Sequence, residues 1–454
     1  MPPITRFAPS PTGLLHLGGA RTALFNFIFA KSKNGLFKVR IEDTDKIRNT
    51  EKSVSSIING LNWLGLNSDS EIIYQKNNIT EHIKVAHQMI ENGFAYKCYH
   101  DDKEIQEMKT QKKKIISIWR DKKKSSTNEK FCIRVKSPQN GITEINDQIQ
   151  GKVKVNNVEL DDYIIIRTDG TPTFLLSSAI DDYLMSVTDI IRGDDHLTNS
   201  FRQMIIFNFL NYQPNFAHIP LIHNENNQKL SKRDNVLSID DYQKSGYLPI
   251  AIINYMLRMG WSIGDQEFIT LNEAINSFEI QKVGKSPSII DEKKLIFFNN
   301  FYLKKSNETF LYEKIKEFDF KEKNDFFDQD SSIIKESIKL FKDRSNSLVE
   351  LIESIKKLKK IEYLYNDYEK EVFKKTFNNK SIILNKLTGI NSWNNNVLES
   401  TINDIIKSCN LKFKDVAQPL RLSLIGLISG PSVSELMRII GKEKSLEKIL
   451  LNWN

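Results

Sequence analysis

Apolar positions near the start of the chain follow two different periodicities. Residues 4–8 (ITRFA) form a short apolar run like a buried strand, and residues 36–42 (LFKVRIE) alternate as a strand does. From Gly18 to about Lys31, apolar residues recur every three or four positions, which predicts a helix. Strand, helix and strand in this order form a βαβ unit with a right-handed crossover. We therefore predict a doubly wound, Rossmann-like α/β domain whose ligand crevice lies at the carboxyl ends of the strands.

The pattern changes twice further along the chain. A block at roughly residues 75–174 begins with a helical pattern, becomes lysine-rich and continues with strand-like pieces. Strand and turn signals then resume at residues 171–182 and 187–196. We interpret this block as an α+β insertion. From about 240 onward the pattern is mostly helical, and one helix face is predicted from Leu348, Leu351, Ile352, Ile355 and Leu358. Residues 322–332 (EKNDFFDQDSS) are the best linker candidate.

Composition narrows the class of protein. The 454 residues are 40% hydrophobic and 27% charged, and their longest apolar runs are too short to span a membrane. The start of the chain lacks the pattern of a signal peptide. Three scattered cysteines fit a reducing cytoplasm, where we expect the protein to be located. The net charge of +8 permits a polyanionic partner without requiring one.

A glycine-rich turn, APSPTGLLHLGGA at residues 8–20, precedes the first predicted helix. Gly13 and Gly18 have phosphate-loop spacing, but Gly19 and Ala20 follow where that loop needs Lys and Ser or Thr. A helix amino terminus attracts phosphate, and glycines let a nucleotide approach the backbone. His16 could donate a hydrogen bond to an α-phosphate. The alternative is a strand-to-helix turn with a structural histidine.

A second, distant segment carries the missing positive charge. NENNQKLSKRDN, at residues 224–235, is polar and contains Lys229, Ser231, Lys232 and Arg233. A mobile basic loop could close over a triphosphate and neutralise the departing pyrophosphate. Taken alone, the segment could equally be a solvated basic loop.

Together these two segments resemble the His-Ile-Gly-His and Lys-Met-Ser-Lys-Ser pair of class I aminoacyl-tRNA synthetases. RFAPSPTG, VRIEDTD, IIRGDDHLTN, residues 246–262 and VAQPLRLSLIG resemble the bacterial glutamyl-tRNA synthetase family more narrowly, in the family's motif order. The resemblance implies that ATP activates L-glutamate to glutamyl-adenylate, releasing pyrophosphate. The glutamyl group then passes to the terminal adenosine of tRNA(Glu), releasing AMP.

The resemblance also implies a division into domains. The catalytic α/β domain would occupy 1–78 and 175–240, interrupted by an acceptor-stem-binding domain at 79–174. A helical stem-contact domain at 241–320 and a helical anticodon-binding region at 321–454 would follow.

Site residues are carried over from the matching motifs. ATP would be bound by Thr12, His16, Gly18, Gly19, Arg48, Ser231 and Lys232, with His16, Gly18, Lys229 and Lys232 promoting the chemistry. Glutamate would be bound by Arg6, Ser10, Glu42, Phe174, Ser178 and Arg192. Arginine suits a carboxylate because its planar fork makes paired hydrogen bonds. Without the family match, Arg6 could be a surface charge, and Glu42 could pair with Arg40 or Arg48. Magnesium is expected to enter on the phosphates of ATP.

Two departures from the family pattern change these expectations. Phe174 and Ser178 stand where many members carry tyrosine and asparagine, so we expect them to line the pocket without those polar contacts. Some relatives bind zinc in the inserted block, but here the stretch is Cys98-Tyr99-His100, with Trp119 where a ligand cysteine would sit. Two ligands do not make a tetrahedral site, so no structural zinc is expected.

Contacts with RNA are predicted from charge and from one further segment. Lysines at 109, 112–114 and 122–124 would face the acceptor stem or only water. DRSNSL resembles the family segment whose arginine reads the anticodon, which points to Arg344. We expect a monomer that binds no membrane.

Three alternatives stay open at this stage. The enzyme could also load glutamate on tRNA(Gln), or the chain could be a paralogue that holds tRNA without charging it. It could also be a nucleotidyl transferase that shares the core. Intact motifs argue against the paralogue. The long helical extension after the linker argues against the transferase.

Overall fold

The computed structural model describes residues 1–44, 49–99, 116–122, 130–226, 228 and 237–453. The chain divides into two compact units. Unit 1 comprises Met1–Gln243 and Ile252–Glu292, and unit 2 comprises Lys244–Ala251 and Lys293–Asn454.

All the described strands belong to unit 1 and form three small sheets and one pair. The first sheet is parallel, in the order β1 (Ile4–Phe7), β2 (Leu36–Ile41), β3 (Ile73–Tyr74). The second has the order β7 (Gly151–Asn156), β6 (Ile142–Asp147), β10 (Asn215–Ile219), β9 (Asp189–Gly193), and β10 is parallel to both its neighbours. The third is antiparallel, in the order β4 (Ala95–Cys98), β5 (Cys132–Val135), β8 (Ile164–Ile166). The pair is β11 (Ile222–His223) with β12 (Ser288–Ile289).

Nine of the described helices lie wholly or partly in unit 1, and three of these nine cross a boundary between the units. In chain order they are α1 (Leu17–Ser32), α2 (Glu51–Trp63), α3 (Ile79–Glu91), α4 (Phe174–Leu184), α5 (Leu197–Phe209), α6 (Ile239–Lys244), α7 (Pro249–Arg258), α8 (Leu271–Ser277) and α9 (Glu292–Lys305).

Unit 2 continues as helices only, within the described residues. They are α10 (Glu308–Glu317), α11 (Lys323–Phe327), α12 (Ser331–Phe341), α13 (Leu348–Lys359), α14 (Asp367–Lys374), α15 (Lys380–Thr388), α16 (Asn395–Ser408), α17 (Phe413–Ile425), α18 (Val433–Ile440) and α19 (Lys442–Asn452). Single-turn 3₁₀ helices lie at Gln75–Asn78, Ile118–Arg120, Asn157–Glu159, Asp194–His196, Ile280–Lys282, Lys342–Arg344 and Phe377–Asn379.

The predicted βαβ unit is confirmed by β1, α1 and β2, with β1 parallel to β2. The α1 helix is more buried than its predicted periodicity indicated, since Phe25 and Phe29 are buried as well as Leu24 and Ile28. The reason is that α1 contacts β1 and β2, β9 and α8. The first sheet and the parallel part of the second, formed by β6, β10 and β9, meet beside it, where the Thr188 amide donates to the Ile4 carbonyl at 2.9 Å. Their carboxyl ends therefore share one edge.

The predicted inserted block is α+β in the structure, because it contains helix α3 and the antiparallel strands β4, β5 and β8. The hairpin of β6 and β7 also falls within 79–174, yet it belongs to the sheet of β9 and β10. The four predicted domain boundaries remain a prediction, because the structure divides the chain only into two units.

Unit 2 bears out one pattern prediction and corrects another. The face of α13 formed by Leu348, Leu351, Ile352, Ile355 and Leu358 is buried, as predicted. The predicted linker at 322–332 instead contains α11, because Phe326 is buried and its ring contacts Phe320 and Phe327. Of the described helices, none combines the length and apolarity needed to cross a bilayer.

Candidate active site

A cavity of about 390 Å³ opens in unit 1 at the shared carboxyl edge of the parallel strands. All six side chains predicted to bind glutamate line it: Arg6, Ser10, Glu42, Phe174, Ser178 and Arg192. Of the predicted nucleotide set, His16, Gly18 and Gly19 line it too. Thr12 is not among the lining residues, and its amide donates to the Ser10 carbonyl at 2.8 Å. Lys229, Ser231, Lys232 and Arg48 lie outside the described residues.

His16 is the N-cap of α1. Its Nδ1 accepts a hydrogen bond from the Gly19 amide at 3.2 Å, so in the neutral ring Nε2 carries the proton and is a donor. A Cβ on Gly18 would lie 3.2 Å from both Cε1 and Nδ1 of this ring, which explains the glycine. The turn thus holds an imidazole N–H at the start of the helix, and the Gly19 amide holds the ring.

The residues that flank the basic segment on either side lie beside the cavity. Ile222 of β11 lines it before the segment, and Ser238 after the segment pairs with His16 in an isolated antiparallel bridge. The Ile239 amide also donates to the Leu15 carbonyl at 2.8 Å. Lys232 lies six positions before Ser238, and an extended chain of that length spans at most about 22 Å. The anchored ends are therefore compatible with a lysine that reaches a phosphate near His16.

Arg6 is paired with a carboxylate inside the protein. Its Nε and Nη2 donate to Oδ1 and Oδ2 of Asp182 at 2.9 and 3.2 Å, and its Nη1 donates to the Ile191 carbonyl. Behind it, Arg40 Nη1 donates to Asp182 at 2.7 Å. Burial alone would raise the pKa of Asp182, but the two guanidiniums outweigh burial and lower it. Arg6 is 4% exposed, so it is a buried, charge-compensated arginine rather than a surface charge.

Glu42 takes part in the same network. Arg40 Nη2 donates to its Oε1 at 3.0 Å, which is the Arg40 pairing that the sequence left open. Burial nevertheless raises the pKa of Glu42 above its ordinary value, because burial outweighs the attraction of Arg40. A cationic ligand group beside Glu42 would counter that effect and favour the ionised carboxylate.

Arg192 has a different environment from Arg6. Its Nη2 donates to Ser200 Oγ at 2.7 Å and to Gln203 Oε1 at 2.9 Å, and its Nε donates to His218 Nε2 at 3.3 Å. None of these partners is a carboxylate. Burial and the nearby Arg6 charge lower the pKa of Arg192 to about 9, so it stays protonated at neutral pH. The cavity wall thus contains a buried cation with neutral partners, which favours an anionic ligand.

Ser178 and Phe174, the two cavity positions that depart from the family pattern, have local partners. Ser178 Oγ accepts a hydrogen bond from Gln203 Nε2 at 2.9 Å, and the Phe174 ring lies 5.6 Å from the His196 ring. Burial, followed by the Arg192 charge, lowers the pKa of His196 to about 4, so this imidazole is neutral at pH 7.

Five residues that hold the site were not among the sequence candidates: Asp147, Asp182, Ser200, Gln203 and His218. The available signal was a polar residue within an apolar stretch, as in NFAHIP around His218. That signal does not identify the partner, since Arg6 and Asp182 are 176 positions apart.

The thiols of the inserted block face one another. Cys98 and Cys132 are opposite residues of the antiparallel pair β4–β5, and both are buried. Hydrogen bonding to Cys98, together with burial, raises the pKa of Cys132. Among the described residues no group of three or more His, Cys, Asp or Glu side chains is arranged to hold a metal ion. His100 lies outside the described residues, so the absence of zinc stays a prediction.

The predicted RNA-contacting residues are only partly described. Arg344 ends the 3₁₀ helix Lys342–Arg344 in unit 2, and its side chain is exposed. Lys122 is exposed in unit 1, whereas lysines 109, 112–114, 123 and 124 lie outside the described residues.

Comparisons with known proteins agree with this geometry. The family model described as tRNA synthetases class I (E and Q), catalytic domain, matches residues 4–297, and the model of an anticodon binding domain matches residues 310–450. A protein named glutamate–tRNA ligase 2 from Ehrlichia ruminantium (strain Gardel) is 44% identical over 461 residues, covering 98% of this chain and 97% of its own. The glutamate–tRNA ligase of Pelagibacter ubique is 41% identical, with 97% of each chain covered.

A solved structure shows a similar fold over the same extent. The glutamate tRNA ligase from Elizabethkingia meningosepticum, crystallised in complex with its amino acid, has a TM-score of 0.87 at 27% identity, and 99% of each chain is covered.

Proposed function

The chain belongs to the class I aminoacyl-tRNA synthetases and is a glutamate–tRNA ligase, and we propose that it activates glutamate as an adenylate in the cavity of unit 1. The family uses ATP. The observation that carries the proposal is Arg192, a buried guanidinium in the cavity wall whose hydrogen-bond partners, within the described part of the chain, are all neutral.

The glutamate side-chain carboxylate supplies the anion that Arg192 lacks. Arg6 contributes positive potential, although Asp182 already binds its Nε and Nη2 edge. Glu42 takes the α-ammonium group, and the exposed Ser10 lines the same cavity. Phe174 and Ser178 complete the wall, with Ser178 bonded to Gln203. A neutral glutamine side chain would leave the Arg192 charge uncompensated and is therefore selected against.

Activation needs positioning and charge neutralisation rather than a protein nucleophile. An α-carboxylate oxygen of glutamate attacks the α-phosphorus of ATP, a P–O bond forms, and the bond to pyrophosphate breaks. His16 donates from Nε2 to the α-phosphate, since the Gly19 amide already holds Nδ1. Gly18 and Gly19 leave room for the phosphates, and Thr12 and Arg48 bind the nucleotide. Lys232 and Lys229 neutralise the departing pyrophosphate, and the Ser231 hydroxyl donates a hydrogen bond to the nucleotide.

Magnesium fits this site as an ion carried by the triphosphate. Among the described residues, the carboxylates that line the cavity are Glu42 and Asp195, and Arg40 already binds Glu42. Mg²⁺ keeps several waters and is bound by few protein carboxylates in such sites. When bound, it would neutralise phosphate charge.

Transfer to tRNA completes the reaction. A ribose hydroxyl of the terminal adenosine attacks the activated carbonyl carbon, and AMP leaves. The partner is tRNA(Glu), whose anticodon would be bound by the helical region of unit 2 that contains the exposed Arg344. We propose that the enzyme acts as a monomer.

A charging assay tests this function. Purified protein with ATP should attach labelled glutamate, but not glutamine, to tRNA(Glu) and release AMP and pyrophosphate. Trapping with hydroxylamine should give glutamyl hydroxamate, the product expected of an activated acyl intermediate. Hydroxamate that forms from glutamine as readily as from glutamate would reject the assigned role of Arg192.

The same assay with tRNA(Gln) decides between the two specificities. A non-discriminating enzyme would also form glutamyl-tRNA(Gln), whereas a discriminating one would charge tRNA(Glu) only. Arg344 favours discrimination by reading one anticodon base.

A further inference from the structure

Three buried side chains form a row across neighbouring strands behind the cavity. Asp147 ends β6, His218 lies on β10, and Arg192 lies on β9 directly opposite His218 in the parallel register. His218 Nδ1 is 2.6 Å from Asp147 Oδ2, and His218 Nε2 is 3.3 Å from Arg192 Nε. His218 is completely buried, so water does not satisfy either ring nitrogen. The row ends in the cavity wall, because Arg192 lines the cavity.

The hydrogen bonds in this row fix the tautomer of His218. Burial alone would raise the pKa of Asp147, but hydrogen bonds from His218 and from the Gln150 and Ile149 amides lower it, so the carboxylate only accepts. His218 Nδ1 must therefore carry the proton. Burial lowers the pKa of His218, which keeps the ring neutral and makes Nε2 an acceptor. That nitrogen receives Arg192 Nε–H and lies 3.0 Å from Ser200 Oγ.

A comparison with Arg6 shows what this arrangement achieves. Arg6 offers the edge formed by Nε and Nη2 to both oxygens of Asp182. Arg192 offers the same edge to His218 Nε2 and Ser200 Oγ. The second pair accepts from the same two nitrogens as a carboxylate does, but it carries no charge. Asp147 is thus connected to Arg192 through an imidazole instead of contacting it.

We propose that His218 is a positioning residue that orients Arg192 for the glutamate side chain while separating it from the charge of Asp147. This inference rests on the proposed function, since it assumes that Arg192 binds the substrate carboxylate. A carboxylate in direct contact with the Arg192 edge would compensate its charge before substrate arrived. The neutral pair of His218 and Ser200 holds the guanidinium and leaves its charge for the ligand.

Two substitutions at His218 separate its two hydrogen bonds. His218→Asn retains a donor toward Asp147 but loses the acceptor for Arg192, and His218→Gln places an amide oxygen near Arg192 but loses the bond to Asp147. We expect His218→Asn to raise the KM for glutamate about 10-fold or more with the KM for ATP within about twofold. His218→Gln should restore part of the loss. Unchanged glutamate KM in His218→Asn, or equal rises in both KM values, would overturn the inference.

Ser200 provides a test that changes charge at constant shape. Ser200→Asp and Ser200→Asn place similar side chains beside Arg192, and only aspartate compensates its charge. The aspartate variant should have a glutamate KM about 10-fold above that of the asparagine variant. Equal values would show that neutrality of the Arg192 partners is unimportant and would contradict the proposal even if the His218 variants failed to fold.

His82→Asn is the matched control. His82 is also completely buried and bonded to an aspartate, with Nε2 2.8 Å from Asp181 Oδ1, but it does not line the cavity. Asp181 keeps hydrogen bonds from Gln75 and Asn78 in this variant. The ratio of glutamate KM to ATP KM in His82→Asn should stay at the wild-type value.

Arg192→Gln distinguishes failure of this inference from failure of the proposed function. If Arg192→Gln leaves the glutamate KM unchanged, the proposed function fails. If Arg192→Gln raises the glutamate KM but the His218 variants do not, only this inference is rejected.

Discussion

At the scale of single residues, the two arginines of the cavity illustrate how partners decide the role of a side chain. Arg6 and Arg192 were both predicted from motifs, and both line the cavity. Their partners could not be predicted, because Asp182 and His218 are distant in the sequence and either pairing requires the folded sheet. The structure distinguishes a charge-compensated guanidinium from one that is free to bind an anion.

Replacing Arg192 by glutamine should impair recognition of glutamate. Removing a buried charge that binds a carboxylate costs several kcal/mol, so we expect glutamate KM to rise about 100-fold, with ATP KM nearly unchanged. Steady-state kinetics with each substrate varied in turn measures this. Arg202→Gln is the control, because Arg202 pairs with Asp161 and does not line the cavity. Equal changes in both KM values would contradict side-chain recognition by Arg192.

Replacing Gly18 by alanine should disturb His16 without removing it. The new Cβ would lie 3.2 Å from the imidazole, so the ring has to move by a few tenths of an ångström. We expect about a 10-fold lower kcat, since the hydrogen bond to the α-phosphate depends on ring position. Gly389→Ala is the control, because there the nearest atom to the new Cβ is 3.5 Å away. A wild-type kcat in Gly18→Ala would show that the imidazole position is not critical.

At the scale of elements, periodicity predicted what local sequence determines. It identified β1, α1 and β2 and the buried face of α13. It missed the burial of Phe25 and Phe29, because a helix packed on several sides has no single apolar face. It also missed α11, where two phenylalanines in a polar stretch pack on neighbouring aromatic rings. Both errors arise from tertiary contacts.

One buried lysine joins the ends of two helices in unit 2. Lys448 Nζ donates to the carbonyls of Lys357, in the last turn of α13, and of Leu424, in the last turn of α17. Burial, with a contribution from the Lys444 charge, lowers its pKa from 10.5 to about 7. Between these values the unfolded chain binds more protons than the folded one at this site, so stability contributed here rises as pH rises from about 7 toward 10.5.

The variant Lys448→Met should lose that pH dependence. Thermal unfolding at pH 7 and pH 9 should show that the Tm of the wild type, measured relative to Lys448→Met, is higher at pH 9. Lys414→Met, which removes an exposed lysine of α17, should follow the wild type. A Tm difference that is constant with pH, or one that falls, would contradict the assignment of a lowered pKa to Lys448.

At the scale of the whole molecule, the two family matches assign the catalytic domain to the first part of the chain and the anticodon binding domain to the second. The catalytic match ends at residue 297 and the anticodon match begins at residue 310. Order of motifs along the sequence was enough to predict this arrangement. The number of domains and their boundaries stay a prediction. The sheet that contains β6 and β7 joins the predicted insertion to the second catalytic half.

Arg344→Ala should therefore weaken the use of tRNA and spare the use of glutamate. Losing one bidentate contact to a base costs about 1–3 kcal/mol, which corresponds to roughly a 5- to 150-fold higher KM for tRNA(Glu). Glutamate KM at saturating tRNA should not change. Arg438→Ala, which removes a partly exposed arginine paired with Glu336, is the control. An unchanged KM for tRNA(Glu) would show that Arg344 does not contact the anticodon.

The central claim is that the guanidinium of Arg192, which the described residues hold through neutral partners, binds the side chain of glutamate. A crystal structure of the protein with L-glutamate tests it most directly. The account predicts that a side-chain carboxylate oxygen lies within about 3.2 Å of an Arg192 nitrogen, while the Nε and Nη2 edge of Arg192 stays on His218 and Ser200. A glutamate whose side chain lies away from Arg192, or whose α-carboxylate occupies that place, would contradict it.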